Sequence, residues 1–208
     1  MDEYNTSISF KEEGNMFSDN KKTICVYCSS SNNLDEKFYI CSKALGEKIG
    51  QNGYNMVYGG TTVGMMGVIA NNAIKNGAEV MGVIPERIAS FGLKHPALAK
   101  VVITKDMRER KATMEKYADI FICAPGGFGT FEEVFEILVA KQLGYHSKPI
   151  IFLNLDGYYD YMLKMFDIVY KEKFAKEEMK SLYYVANFVN DIFSYIETYK
   201  PQEYVHKW

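Results

Sequence analysis

The residues best suited to chemistry lie in a glycine-rich turn between an apolar run and a predicted helix. This segment, Ala124–Glu133, reads Ala-Pro-Gly-Gly-Phe-Gly-Thr-Phe-Glu-Glu. Glycines lack Cβ atoms, so the backbone can curl around an anion, and a helix N-terminus adds partial positive charge. The three glycines, Gly126, Gly127 and Gly129, allow close approach, so the pattern predicts phosphate as the natural occupant of this turn. Glycine turns also end strands for geometric reasons, and Thr130-x-x-Glu133 matches a capping box, so this segment alone leaves both interpretations open.

A second turn, Tyr58–Gly67, repeats the strand–glycine–helix arrangement and contains Gly60. Two such turns favour a nucleotide pocket, because ligands of open α/β sheets bind beyond the carboxyl ends of the strands. Neither turn is the G-x-G-x-x-G fingerprint of dinucleotide binding or a P-loop, so NAD and triphosphate hydrolysis are not supported. The serines of Ser29–Ser31, Ser30 among them, could donate hydrogen bonds to phosphate or sugar, although simple turn formation explains them equally well.

A charged pair supplies the second half of the candidate chemistry. Arg110 shares a helical face with Met114 and Tyr117 by i, i+4, i+7 spacing, which predicts that it points inward, although most basic clusters are solvated faces. A buried arginine requires a phosphate or carboxylate partner, and Glu133, expected in the first turn of its helix, is the candidate. Cleavage of an N-glycosidic bond builds positive charge on the sugar, which a carboxylate can stabilise while it orients water.

The elements that must position these residues alternate short apolar runs with longer helical segments. The predicted strands are Thr23–Cys28, Tyr54–Tyr58, Glu79–Ile84, Val101–Thr104, Asp119–Ala124 and Pro149–Asn154. The predicted helices are Asp35–Gln51, Gly64–Asn76, Asp106–Tyr117, Thr130–Leu143, Tyr158–Glu172 and Asn187–Tyr199. This alternation predicts an α/β domain in three layers, a central parallel sheet flanked by helices.

Length, charge and hydropathy limit the number of domains, the partners and the location that this chain can be expected to have. The 208 residues fit one domain over residues 21–208, preceded by a flexible acidic tail over residues 1–20. A net charge of −2 argues against a nucleic acid polymer as partner and favours a small molecule. No apolar run is long enough to span a membrane, and the N-terminus lacks the order of a signal peptide, so a cytoplasmic protein is expected.

The cysteines and histidines predict no metal site. Cys25 and Cys28 form a C-x-x-C inside a predicted buried strand, which favours core packing over metal or redox chemistry. The four cysteines are too few for a disulfide scaffold and suit a reducing compartment. His95, His146 and His206 are scattered along the chain, and His146 is expected to be structural.

Taken together, these motifs resemble the LOG ("lonely guy") family. Pro125–Glu133 fits its PGGxGTxxE motif, Met107–Lys111 is similar to its M-x-x-R-K segment, and the likeness covers nearly all of the chain after the tail. The resemblance implies a Rossmann-like fold, a homodimer or higher homo-oligomer, and no cofactor. It implies hydrolysis of a purine nucleoside 5′-monophosphate, AMP or an N6-substituted AMP of the cytokinin riboside type, to free base and ribose 5-phosphate.

The resemblance also assigns roles to residues. It implies that Arg110 and Glu133 are the catalytic pair, that the Gly126–Thr130 turn holds the phosphate, and that other residues bind substrate nearby, namely Ser30, Gly60, Met107, Arg108 and Lys111. Ser29 and Thr61 stand where the family often has glycine, which puts phosphate geometry or base selectivity in question. Family members are often labelled lysine decarboxylases, a label that would require a pyridoxal site with a Schiff-base lysine. The alternative is a non-catalytic nucleotide-binding sensor or carrier of the same superfamily.

Overall fold

The computed structural model describes residues 17, 18 and 20–201. Its strands are β1 (Thr23–Tyr27), β2 (Asn55–Tyr58), β3 (Val80–Pro85), β4 (Lys100–Thr104), β5 (Ile120–Cys123), β6 (Ile150–Leu153) and β7 (Tyr184–Ala186). Its helices are α1 (Glu36–Gln51), α2 (Gly64–Lys75), α3 (Glu86–Ala89), α4 (Met107–Tyr117), α5 (Phe128–Gln142), α6 (Asp160–Lys171) and α7 (Val189–Thr198). Short 3₁₀ helices cover Leu155–Gly157 and Glu177–Leu182.

All strand pairs of the seven-stranded sheet are parallel, in the order β4-β3-β2-β1-β5-β6-β7. The chain runs outward from β1 to β4, returns across the sheet to β5, and then runs outward in the other direction. Because the connections after β1 and β5 leave in opposite directions, a crevice opens between them at the carboxyl ends of the strands. The Ser29 N–H donates to the Pro125 carbonyl at 3.0 Å, which joins the two loops at this point.

Alternating side chains of the strands build a core on each face of the sheet. On β1, Ile24 and Val26 belong to the cluster under α1, α2 and α7, whereas Cys25 and Tyr27 belong to the cluster under α4 and α5, with α6 at its edge. The three-layer α/β architecture predicted from the sequence is thereby confirmed. Arg110 and Glu133 lie on the α4 and α5 face.

The predicted elements are present, with different bounds at several ends. The short helix α3, the edge strand β7 and the two 3₁₀ helices were not predicted. The prediction that α5 begins at Thr130 is wrong, because the helix begins at Phe128 with Gly127 as its N-cap.

The tail predicted for residues 1–20 lies outside the described residues except for Phe17, Ser18 and Asn20. Phe17 is buried in the core on the α4 and α5 face, and the Ser18 backbone and hydroxyl both donate to Glu79. The packed core therefore includes a residue of the predicted tail. Within the described residues, no helix has both the length and the apolar content needed to cross a membrane.

Candidate active site

A buried ion pair joins α4 to α5 beneath the glycine turn. Nη1 of Arg110 lies 2.5 Å from Oε1 of Glu133, and the two side chains are only 10% and 7% exposed. Nε of Arg110 also donates to the Val83 carbonyl at 3.2 Å. The prediction that Arg110 turns inward beside Met114, which is fully buried, is confirmed. The guanidinium is thus fixed from two directions.

The first turn of α4 sets the position of Arg110. The Asp106 carboxylate accepts hydrogen bonds from the N–H groups of Arg108 and Glu109 and caps the helix. Such a cap satisfies backbone donors that have no partner within the helix, and it fixes where the helix begins. Arg110 then follows at a defined angle around the helix axis, facing the sheet.

Gly59, at the end of β2, makes room for the guanidinium. A Cβ atom at this position would lie 2.2 Å from Nη2 of Arg110 and 2.5 Å from Cε of Met66, closer than atoms can approach. The family resemblance instead implies a role for the neighbouring Gly60. Gly60 has φ +75°, its Cα faces Gly82, and its carbonyl accepts from the His95 N–H, so its contacts shape the turn.

The electrostatics of Glu133 follow from its burial. Removal from water raises the pKa of the Glu133 carboxyl, and the charge and hydrogen bond of Arg110 oppose that rise. Arg110, with a smaller contribution from Lys111, thus favours the charged form, although burial leaves the pKa of Glu133 above its usual value. The capping-box interpretation of this segment is wrong, since Thr130 lies inside α5 and Glu133 falls in the second turn rather than the first.

The glycine turn combines one crowded glycine with two open ones. A Cβ at Gly126 would collide with the Thr130 side chain, whereas a Cβ at Gly127 or Gly129 would meet no atom within 4 Å. No side chain caps α5, and its first backbone hydrogen bond runs from the Phe131 N–H to the Gly127 carbonyl. The first N–H groups of α5 are consequently available to an anion.

The loop after β1 is packed against the start of α2. The Asn32 side chain accepts from the Gly64 N–H at 2.7 Å, and the Ser29 hydroxyl accepts from the Ser31 N–H, a turn of the kind serine often forms. Ser30 is exposed. The Thr61 hydroxyl, at the other departure from the family pattern, is buried and donates to the Met66 sulfur at 3.5 Å.

The remaining predicted substrate residues on α4 separate into two groups. Met107 and Arg108 are exposed in the first turn of the helix. The Lys111 ammonium instead forms ion pairs with Glu132 and Glu136 of α5. Burial lowers the pKa of Lys111, but the hydrogen bonds to the two carboxylates outweigh this effect and raise it. Lys111 is thus committed to α5 and not free to serve the glycine turn.

All four cysteines are free and buried, which confirms that Cys25 and Cys28 pack in the core. Burial raises the pKa of both thiols far above the usual value. Neutral thiols of this kind behave as small apolar side chains.

Comparison with known proteins decides the family. Residues 66–196 match a family model described as "possible lysine decarboxylase". The chain is 34% identical over 180 residues to a cytokinin riboside 5′-monophosphate phosphoribohydrolase of Arabidopsis thaliana, covering 86% of this chain and 79% of that protein. A probable enzyme of the same name from Oryza sativa subsp. japonica is 38% identical over 176 residues, which cover 85% of this chain and 79% of that protein. This chain belongs to the LOG family.

Membership confirms the resemblance carried by the PGGxGTxxE and M-x-x-R-K motifs. The decarboxylase description fits the site poorly. Lys111, next to Arg110 in the LOG motif, has a raised pKa, whereas a Schiff-base lysine requires an ammonium that loses its proton readily.

Solved structures show that the LOG fold is shared more widely. A molybdenum cofactor binding protein from Rippkaea orientalis superposes with a TM-score of 0.65 at 20% identity, over 86% of this chain and 96% of that one. The Moco carrier protein of Chlamydomonas reinhardtii gives 0.64 at 21% identity, over 85% of this chain and 96% of its own. At such low identity the likeness concerns the fold alone.

Proposed function

We propose that this chain hydrolyses the N-glycosidic bond of a purine nucleoside 5′-monophosphate, AMP or an N6-substituted AMP, as a hydrolase acting on N-glycosyl compounds. The observation that carries the proposal is the buried Arg110–Glu133 pair beside an uncapped, glycine-lined helix N-terminus at the crevice of the sheet. The LOG relatives named for this reaction on cytokinin riboside 5′-monophosphates support it.

In the proposed reaction the bond between C1′ of the ribose and the purine nitrogen breaks, and its electron pair leaves with the base. Positive charge then develops on the ribose ring, and the Glu133 carboxylate stabilises it or orients the attacking water. The water oxygen bonds to C1′, one water proton is lost from it, and the base gains one proton. The products are the free base and ribose 5-phosphate. Arg110 favours the ionised form of Glu133, which this role requires.

The glycine turn supplies the phosphate site in this proposal. Gly127 has φ −91°, and a side chain at Gly127 or Gly129 would meet no protein atom, so the fold itself does not demand glycine at these positions. Close approach of a phosphate to the N–H groups of α5 does demand it. We assign Arg108, which is exposed in the first turn of α4, as a further phosphate or substrate contact.

Lys111 takes a different role from the one expected. Its two bonds to α5 carboxylates hold α4 against α5 and offset negative charge next to Glu133. We assign to it the charge balance of the site in place of phosphate contact.

We also propose that two copies of the chain associate. Phe135 and Val139 on α5 and Met165 and Ile168 on α6 are each about half exposed, and Phe135 contacts Phe166 of α6 edge to face at 5.8 Å. Such an apolar surface across two adjacent helices suits a self-complementary interface. Sedimentation of the wild type and a Val139→Glu variant measures this association. The four free thiols fit a cytoplasmic location.

The deciding experiment incubates the protein with AMP and with N6-isopentenyl-AMP and separates free base and ribose 5-phosphate by chromatography. Glu133→Gln should lower the rate by about 10³-fold or more while the protein stays folded. Glu132→Gln is the matched control, since this neighbouring carboxylate is half exposed and should keep the rate within a few-fold. Binding of nucleotide by the wild type without product would favour the sensor or carrier and refute the hydrolase.

A further inference from the structure

Three consecutive carbonyl groups in the approach to α5 are each held by a donor from outside the turn. The Ala124 carbonyl accepts from the Tyr159 hydroxyl at 2.7 Å, and the Pro125 carbonyl accepts from the Ser29 N–H at 3.0 Å. The Gly126 carbonyl accepts from the Tyr158 hydroxyl at 2.5 Å. The orientation of every peptide plane leading into the glycine turn is thereby determined.

These bonds also determine where the N–H groups point. Each peptide here is trans, so the N–H of one residue points opposite to the carbonyl of the residue before it. With the Gly126 carbonyl turned to Tyr158, the Gly127 N–H is directed away from Tyr158. A peptide between two glycines has little steric resistance to rotation, so this hydrogen bond is what selects its orientation.

Tyr158 is itself held firmly. Its ring packs edge to face against the rings of Phe38 and Tyr159, with distances between ring centroids of 6.1 Å and 5.0 Å. It follows a tight 3₁₀ turn in which Asp156 and Gly157 have positive φ values, and its own N–H donates to the Leu155 carbonyl. The hydroxyl therefore reaches Gly126 from a prearranged position, and little conformational entropy is lost when it binds the carbonyl.

We propose that Tyr158 is a positioning residue for the substrate phosphate, through the hydrogen bond that fixes the Gly126–Gly127 peptide. The inference rests on the proposed function, since it assumes that the glycine turn receives a phosphate. Tyr158 donates to the protein backbone and orients the Gly127 N–H, which in turn donates to the phosphate. Recognition of the phosphate, not of the base, should depend on this hydroxyl.

The test is Tyr158→Phe, which keeps the ring contacts and removes only the hydroxyl. We expect KM for AMP and the inhibition constant of ribose 5-phosphate to rise together by about tenfold, with kcat within about twofold and inhibition by adenosine, which lacks a phosphate, unchanged. Tyr199→Phe is the matched control, because the Tyr199 hydroxyl also donates to a loop carbonyl, that of Ser147 at 2.6 Å. It should leave all of these constants unchanged.

An unchanged inhibition constant for ribose 5-phosphate in Tyr158→Phe would overturn the inference, as would equal weakening of ribose 5-phosphate and adenosine. Calorimetric titration with ribose 5-phosphate repeats the comparison without turnover. If the wild type binds ribose 5-phosphate but releases no base, the hydrolytic proposal fails, and the Tyr158 variant still decides whether this hydroxyl orients the phosphate site.

Discussion

Two neighbouring cations of α4, Arg110 and Lys111, form ion pairs with α5 that differ in their access to water. Arg110 and Glu133 are both at least nine-tenths buried. One residue further along α4, Lys111 is buried to the same degree, but its partners Glu132 and Glu136 are 54% and 44% exposed. Since each residue turns a helix by about 100°, consecutive positions face different surroundings. The same two helices thus hold one ion pair away from water and the other at the surface.

This difference in burial indicates different roles for the Arg110 and Lys111 ion pairs. A buried ion pair gives up the hydration of two charges, and well-packed apolar residues of similar size are often at least as stabilising. Stability is therefore a weak reason for Arg110 and Glu133 to be charged, whereas chemistry in a crevice shielded from water is a strong one. The Lys111 cluster keeps its carboxylates hydrated and loses little, as a connection between helices should.

Replacement of Arg110 by methionine should have the largest effect on stability and activity. Arg110→Met leaves the Glu133 charge buried without a partner, so we expect a loss of roughly 3–5 kcal/mol in the free energy of unfolding and about 10³-fold in base release. Urea denaturation and the chromatographic assay measure the two effects. The double variant Arg110→Met/Glu133→Leu should recover most of the stability but none of the activity. Recovery of activity would remove the pair from the mechanism.

A methyl group added at Gly59 should test the position of Arg110 separately from its charge, because it contacts the guanidinium and changes no charge. In Gly59→Ala the new Cβ displaces the guanidinium from its two partners and shifts the end of Met66, so we expect a stability loss of about 1–3 kcal/mol. Misplacement of Arg110 should lower kcat by roughly 10- to 100-fold. Thr61→Ala, in the same turn but directed at Met66 instead, is the control and should stay active. Wild-type activity in Gly59→Ala would mean that the position of Arg110 is not critical.

The sequence predicted the elements with strong local signals. Six strands were found because they are nearly continuous apolar runs, and Arg110 was oriented correctly because Met114 and Tyr117 mark its helical face. The edge strand β7 has only three residues, two of them half-buried, so no apolar run distinguishes it. The start of α5 was misplaced because Gly127 and Gly129 favour a loop locally, whereas helix α5 already includes Phe128 and Gly129.

The contacts that complete the site depend on the order of strands, which local patterns do not encode. Gly59 meets Arg110 because β2 and β3 bring their carboxyl ends under α4. Lys111 finds Glu132 and Glu136 because α4 and α5 are adjacent on one face of the sheet. The family resemblance therefore named the candidate residues, and the structure was needed to show that Lys111 pairs with Glu132 and Glu136.

The smallest effect should come from Lys111→Met. This variant should change the pH dependence of the activity and leave its maximum nearly unchanged. We expect activity at the optimum within about twofold of the wild type and less than about 1 kcal/mol of lost stability, since the partners stay hydrated. Lys111 lowers the pKa of Glu133 and Glu132 raises it, so loss of the ammonium should raise the Glu133 pKa further. In the proposed reaction the ionised carboxylate is the active form, so activity should be lost as pH falls through that pKa, and the acid limb of kcat/KM should move to higher pH. An acid limb that stays in place would show that Lys111 has no electrostatic influence on the buried pair.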